Sequence, residues 1–315
     1  MQSLMLKLLT IVTWVRFPKM KKKYRDFIRD NHYCRFKQLK YFFKDYLYKK
    51  KYKVIEFYGE FDQELRYVLP FAYWHYLNGT LKKTISSQYT MELYYFSENH
   101  KEKIGERSWE KSVGNFEIPN MKHSLTFSYT KFARVPLKDN YKNNLFLYTK
   151  PILIIANKYN VEWDNPPINY INKNLLCEIF ENYKDKYQII YNRPLATQII
   201  SDNSVILDLN EFEWIRNNYP DVLLMNDLYE RNKKVVNNFN HLQLMIYANC
   251  NQFISVHGGT AALASYFGGI NIILSKTGIE HNFNEFETIF PALSGARIIH
   301  AKTEDELLKY LKEQY

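Results

Sequence analysis

Apolar and polar positions follow two regimes along the chain. From residue 150 onward, short apolar runs alternate with helical stretches. Lys150–Tyr159 ("KPILIIANKY") is a continuous apolar run, the pattern of a strand buried on both faces. The runs "YQIIYNRP", "SVILDL", "DVLLMNDL", "QFISV" and "INIILSK" read as further strands. Between them, Asn172–Tyr183, "NEFEWIRNNYP", "NNFNHLQLMIYANC", "TAALASYFGG" and the terminal "TEDELLKYLKEQY" carry helical spacing. This alternation predicts a doubly wound parallel sheet over 150–315.

Residues 51–149 are less regular. Val54–Tyr58 predicts a strand, Gly59–Asp62 a turn, and Gln63–Leu77 a helix that Pro70 kinks or restarts and Asn78-Gly79 ends. Strands are expected at Met91–Phe96, Ser124–Tyr129 and Asn144–Tyr148. The fold class is therefore α/β, with a helical segment over 1–50, a smaller domain over 51–149 and the doubly wound domain over 150–315.

Charge changes the picture at the N-terminus. The net charge is +10, but residues 1–53 hold 16 Lys/Arg against 3 Asp/Glu, whereas the remainder holds 27 against 30. A basic segment on a nearly neutral body acts locally, on a membrane or another polyanion. Leu4–Phe17 is apolar but interrupted by Lys7 and Arg16, and is too short to span a bilayer. Leu4, Leu8, Ile11 and Val15 fall near helical spacing, and Lys19 and Lys21–Lys23 follow. This is either an interfacial helix with a polybasic flank or a helix packed on the body. No small-x-small cleavage site follows it, so a signal peptide is not expected. Residues 21–53 alternate basic and aromatic side chains in one or two helices. Such a segment can stack on single-stranded nucleic acid; the favoured reading packs the rings inward. Cys34, Cys177 and Cys250 are too scattered for a disulfide framework or zinc site, which suggests a reducing, cytoplasmic setting; Cys177 and Cys250, in apolar helical runs, read as buried inert thiols.

The candidate chemistry follows strands. "SVHGGTAALAS" places His257, Gly258, Gly259 and Thr260 at a strand-to-helix turn. It is neither a Walker A sequence nor a dinucleotide fingerprint. Glycines let backbone approach an anion, N–H groups and the helix dipole attract it, and Thr260 either caps the helix or donates to phosphate. Alternatively, the turn is only a tight connection.

The string from Asn237 to His300 resembles the nucleotide-sugar-binding half of GT-B-fold glycosyltransferases. The nearest pattern is the His-Gly-Ala/Gly turn of the family-61 type, and more loosely the heptosyltransferase type. The likeness extends loosely over 150–315, and the N-terminal half does not share it. The resemblance implies two Rossmann-like domains facing a cleft, with a sugar nucleotide's diphosphate over His257–Thr260. No Asp-x-Asp metal motif is present, so no metal or other cofactor is expected. Lys158, Arg193 and Lys276, each after a strand, are the candidate cations for the diphosphate, Arg193 foremost for its planar fork. Asn157, Asp227 (beside Asn226), Glu280 and His281 are candidates for ribose, base or sugar contacts, and Trp163 for stacking. The acceptor's base is expected in the N-terminal domain, at Glu60 or Asp62; His75 reads as structural.

The expected activity is metal-independent glycosyl transfer from a nucleoside-diphosphate sugar to a hydroxyl of a glycan, lipid or protein, with peripheral membrane contact through the N-terminus. A sugar-nucleotide epimerase of the same fold, or a nucleic-acid-binding protein using residues 19–53, are the alternatives, nucleic acid being the less expected partner.

Overall fold

A computed structural model describes residues 2–108, 117, 131–200 and 205–315. The expected strand at Ser124–Tyr129 lies outside these.

Two parallel sheets organise the described residues. The smaller contains β1 (Lys53–Glu56), β2 (Leu81–Ser87) and β3 (His100–Ile104), in that order. The larger contains β4 (Ile152–Ala156), β5 (Gln188–Asn192), β6 (Leu223–Leu224), β7 (Gln252–Val256), β8 (Ile270–Leu274) and β9 (Arg297–Ala301). Its order is β6-β5-β4-β7-β8-β9, all parallel. Chain direction across the sheet reverses between β4 and β7. That is the doubly wound order, and it opens a crevice beyond the carboxyl ends of those two strands.

The larger sheet separates two cores by side-chain alternation. Leu153, Ile155, Tyr191, Ile254 and Val256 face one cluster with the helices Lys173–Tyr183 and Glu304–Gln314. Ile154, Ala156, Ile190 and Phe253 face the other, which also takes in Ile55, Leu65, Val68, Phe71 and Tyr94. Described residues from Ile55 to Phe146 thus share a core with the larger sheet. Tyr266 Oη donates to the Leu65 carbonyl (2.5 Å), and Lys138 Nζ donates to the carbonyls of Cys250 and Phe267.

Helix starts follow local chemistry. Asn172, Asn238 and Thr303 each accept a backbone N–H three residues ahead through their side chains, as N-caps do. The run Phe61–Leu77 is helical throughout. Its middle, Glu64–Val68, widens to a π-helix directly before Leu69 and Pro70, so the proline neither breaks nor restarts it.

Several expected elements differ. Met91–Phe96 is a series of turns fixed by Glu102, whose Oε1 accepts from the N–H groups of Thr90 and Met91. Asn144–Tyr148 is not a strand, because the Asn143 side chain takes up the N–H groups of Leu145 and Phe146. "SVILDL" reduces to a bridge between Ile206 and Asn160, and "DVLLMNDL" to Leu223–Leu224 before the helix Met225–Asn232 begins.

The first fifty residues form the helices Gln2–Arg16 and Lys22–Phe42, the latter continuing as a π-turn through Tyr48. Tyr33 and Cys34 pack inward, but Phe36, Phe42, Phe43 and Tyr48 are exposed, so the inward-facing aromatic reading holds only in part. No helix of the described residues is long and apolar enough to cross a membrane. The three cysteines are free; burial pushes the Cys34 thiol up to about 11 and Cys250 to about 12, which makes both inert, whereas Cys177, expected buried, is only half-buried.

Candidate functional site

A cavity of about 690 Å³ lies beyond the carboxyl ends of β4 and β7. Its size suits a small-molecule ligand. The loops after β4 and β7 form one wall. Residues from Glu60 to Arg66, Ser87–Thr90 and Arg107 of the smaller-sheet region form the opposite one.

The turn after β7 fixes the floor. Gly258 has φ +94° and ψ −149°, a backbone that L side chains resist. A Cβ there would sit 3.6 Å from Lys158 Nζ. A Cβ on Gly259 would lie 3.0 Å from Phe61 Cδ1 and 3.7 Å from the Asp62 nitrogen. The first glycine thus sets the turn, and the second admits the opposite wall. Thr260 is not the cap: Gly258 is, and Thr260 Oγ1 donates back to the Val256 carbonyl (2.6 Å).

Lys158 lines the cavity from the β4 loop. Its ammonium pairs with Glu162 (2.5 Å) and remains partly exposed. The loop carrying it is held by Asn157, which accepts from the N–H groups of Lys158 and Ile171 and donates to the Ile171 carbonyl and Tyr191 hydroxyl. Asn157 is fully buried and fully bonded, so it shapes the loop and contacts no ligand. Trp163 and Asp164, at the rim, both have positive φ (49° and 61°).

His257 lies under the turn. Its Nδ1 is 3.1 Å from Ser275 Oγ and its Nε2 3.4 Å from Glu280 Oε2. Gly278 passes so close that a Cβ would collide with the ring. Burial, then the Lys158 charge, hold its pKa down to about 3, so the imidazole is neutral at ordinary pH. Ser275 Oγ also meets His281 Nε2 (2.8 Å), which places His281 behind His257, outside the cavity lining.

The opposite wall is organised by Arg66. Its guanidinium pairs with Asp62 (Nε–Oδ1 2.9 Å), Glu280 (3.3 Å) and Glu285, and meets the Tyr67 hydroxyl. Three buried carboxylates around one cation leave an excess of negative charge. Burial therefore raises the Asp62 pKa; Arg66 opposes that and Glu280 adds to it. Glu60 also lines the cavity and accepts from Gln63 (3.4 Å). Arg107 reaches the wall with its guanidinium on Glu64 (2.5 Å) and the Gly59 carbonyl.

The structure brings Glu60, Asp62, Lys158, His257, Gly258, Gly259, Thr260 and Glu280 together, and leaves other candidates out. Arg193 is buried, bound to Glu211 and Asp208 and stacked on Phe212 at 4.5 Å; it holds the β5 loop and does not face the cavity. Asp227 pairs with Arg216 (2.7 Å), and Lys276 with Glu304 (2.8 Å), both away from the cavity. Arg66 and Arg107 were not expected. Arg66 falls inside a helical run, and only the Asp62/Arg66 spacing of four residues signals it.

A second buried cluster holds Asp45, His75 and Glu117 within ligand distance of one another. Lys53 pairs there with Glu117, and Lys131 with both Glu117 and Asp45 (2.5 Å). Those ammoniums already neutralise the carboxylates. Burial, then Lys53 and Lys131, hold His75 down to about 2. The set is a structural ion network and does not fit a cation site.

Compared with known protein families, curated proteins and solved structures, the chain has no match.

Proposed function

We propose that the protein is a glycosyltransferase that moves a sugar from a nucleoside-diphosphate sugar to a hydroxyl of a glycan, lipid or protein. In this reading the two sheets form a GT-B-like pair, with the donor on the larger sheet and the acceptor against Asp62 and Glu60. The observation that carries it is the Lys158 ammonium at the Gly258 turn, at the switch point of a doubly wound sheet. That crevice is where such sheets bind ligands, and a cation beside a glycine turn suits phosphate.

The chemistry then divides between the walls. Asp62, with its raised pKa, accepts the proton of the acceptor hydroxyl. The new bond forms at the anomeric carbon as its bond to the diphosphate breaks. Lys158 and the turn N–H groups take the charge that develops on the departing diphosphate. Neutral His257 supplies at most one ring N–H. Carboxylates outnumber cations along the lining, which suits a ligand rich in hydroxyl donors and leaves Lys158 as the cation at the turn.

A thermal-shift panel of UDP-, GDP- and CDP-sugars, with and without EDTA, tests the reading. Stabilisation by at least one donor in EDTA supports it; no stabilisation by any of them sinks it.

A further inference from the structure

We propose that the helix Gln2–Arg16 lies on the surface of an anionic lipid bilayer and docks the protein there. This rests on the N-terminal hairpin alone and is independent of the transferase reading.

The helix is apolar on its outward side as well as on its packed one. Leu4, Leu8, Ile11, Val12, Trp14 and Val15 are each more than half exposed, while Met5, Leu6 and Leu9 are half-buried and Thr13, near the end of the helix, is buried. At 100° per residue, Leu4, Leu8, Ile11 and Val15 share one stripe, with Val12 beside it, Trp14 and Lys7 along one edge and Arg16 along the other. Thr13 lies opposite, on the side packed against the helix Lys22–Phe42. Thr13 returns its hydroxyl to carbonyls of its own helix, so its burial leaves that hydroxyl paired. The hairpin is thus held on the side of Leu6, Leu9 and Thr13 and leaves a second apolar stripe outward.

Charge selects the occupant. Lys19, Lys21, Lys22 and Lys23 follow the stripe and are exposed. A second copy of this chain on the same face would bring two segments of 16 Lys/Arg against 3 Asp/Glu together, and they would repel. Single-stranded nucleic acid would use the charge but not the stripe, which is mostly aliphatic and offers few rings to stack on. An anionic bilayer uses both: the stripe enters the headgroup boundary and the lysines meet the lipid phosphates. With 15 residues the helix reaches about 22 Å, short of the roughly 30 Å apolar layer, so it lies in the surface and does not cross it.

The test is flotation of the full chain with phosphatidylcholine vesicles and with mixed phosphatidylcholine–phosphatidylglycerol vesicles. Binding to the mixed vesicles and not to the neutral ones, weakened by added salt, is expected. Leu8→Glu with Ile11→Glu should lower binding at least tenfold (about), and Lys21→Gln, Lys22→Gln and Lys23→Gln together by about 100-fold. All five positions are exposed, so thermal unfolding reports that the variants remain folded. Failure to float with mixed vesicles, equal binding to neutral ones, or unchanged binding by the Leu8/Ile11 variant would overturn the proposal. So would a concentration-dependent dimer, or single-stranded RNA binding tighter than vesicle binding, that the Leu8/Ile11 variant abolishes.

Discussion

Lys158 and Gly258 meet across the switch point: the ammonium lies 3.6 Å from where a side chain on the glycine would begin. In the proposed reading, the lysine that phosphate-binding loops carry in their own sequence would come from the neighbouring strand's loop. Lys158→Met should abolish stabilisation by a nucleoside diphosphate. It also strands the buried Glu162 carboxylate, so the melting temperature falls. Adding Glu162→Gln removes the stranded charge. Thermal unfolding of the double variant should then recover while diphosphate binding does not.

Gly258→Ala tests the turn itself. A non-glycine residue at φ +94° and ψ −149° costs about 1–3 kcal/mol, and its methyl group enters the space beside the Lys158 ammonium. Denaturant unfolding should show a loss of that size, with a larger proportional loss of donor affinity.

Asp62→Asn separates stability from chemistry. The folded pKa of Asp62 lies above its unfolded value, so its contribution is full below the unfolded pKa and is lost as pH rises through the folded one. Asparagine does not titrate, and Arg66 keeps Glu280 and Glu285. The variant's melting temperature should therefore gain on the wild type as pH rises from acid to neutral. Sugar transfer should fall about 100-fold or more.

His257 gives the opposite pH signature. Its folded pKa of about 3 lies below the ordinary 6.5, so the folded protein resists binding that proton. The stability it contributes is present above 6.5 and is lost as pH falls toward 3. His75 acts in the same direction, so wild-type acid unfolding sums the two. The difference between wild type and His257→Asn isolates one of them and should shrink as the pH falls through that window.

Arg193→Ala should be a stability variant. Removing it leaves Glu211 buried without its cation, a loss of about 3–5 kcal/mol. In the protein that still folds, the shift produced by a nucleoside diphosphate should match that of the wild type. A selective loss of that shift would return Arg193 to the donor site.

The larger sheet was legible in the sequence because its strands are buried on both faces, as "ILIIA" and "INIIL" show. In the smaller one only β1 was, as the run Val54–Tyr58. β2 buries Thr84, whose hydroxyl meets Ser97 and His100, and Ser86, whose hydroxyl donates to Glu64. A strand that buries hydroxyls against polar partners leaves no apolar period. β9 was missed because its central residues are only half-buried. Within the site, residues directly after strands were readable by position: Lys158, His257 and the two glycines. Arg193 satisfied the same positional rule, yet its charge is consumed by Glu211, a partner eighteen residues away that no local pattern announces. Arg66 was hidden for the converse reason. Its partners Glu280 and Glu285 are remote in sequence, and they come together only when the two halves share a core.

The most direct measurement is calorimetric titration of UDP, GDP and CDP, in EDTA, into the wild type and the Lys158→Met/Glu162→Gln variant. The account predicts that at least one diphosphate binds the wild type and binds the folded variant at least about tenfold more weakly. Absence of binding by all three, equal binding to both proteins, or binding that appears only with added magnesium would contradict it.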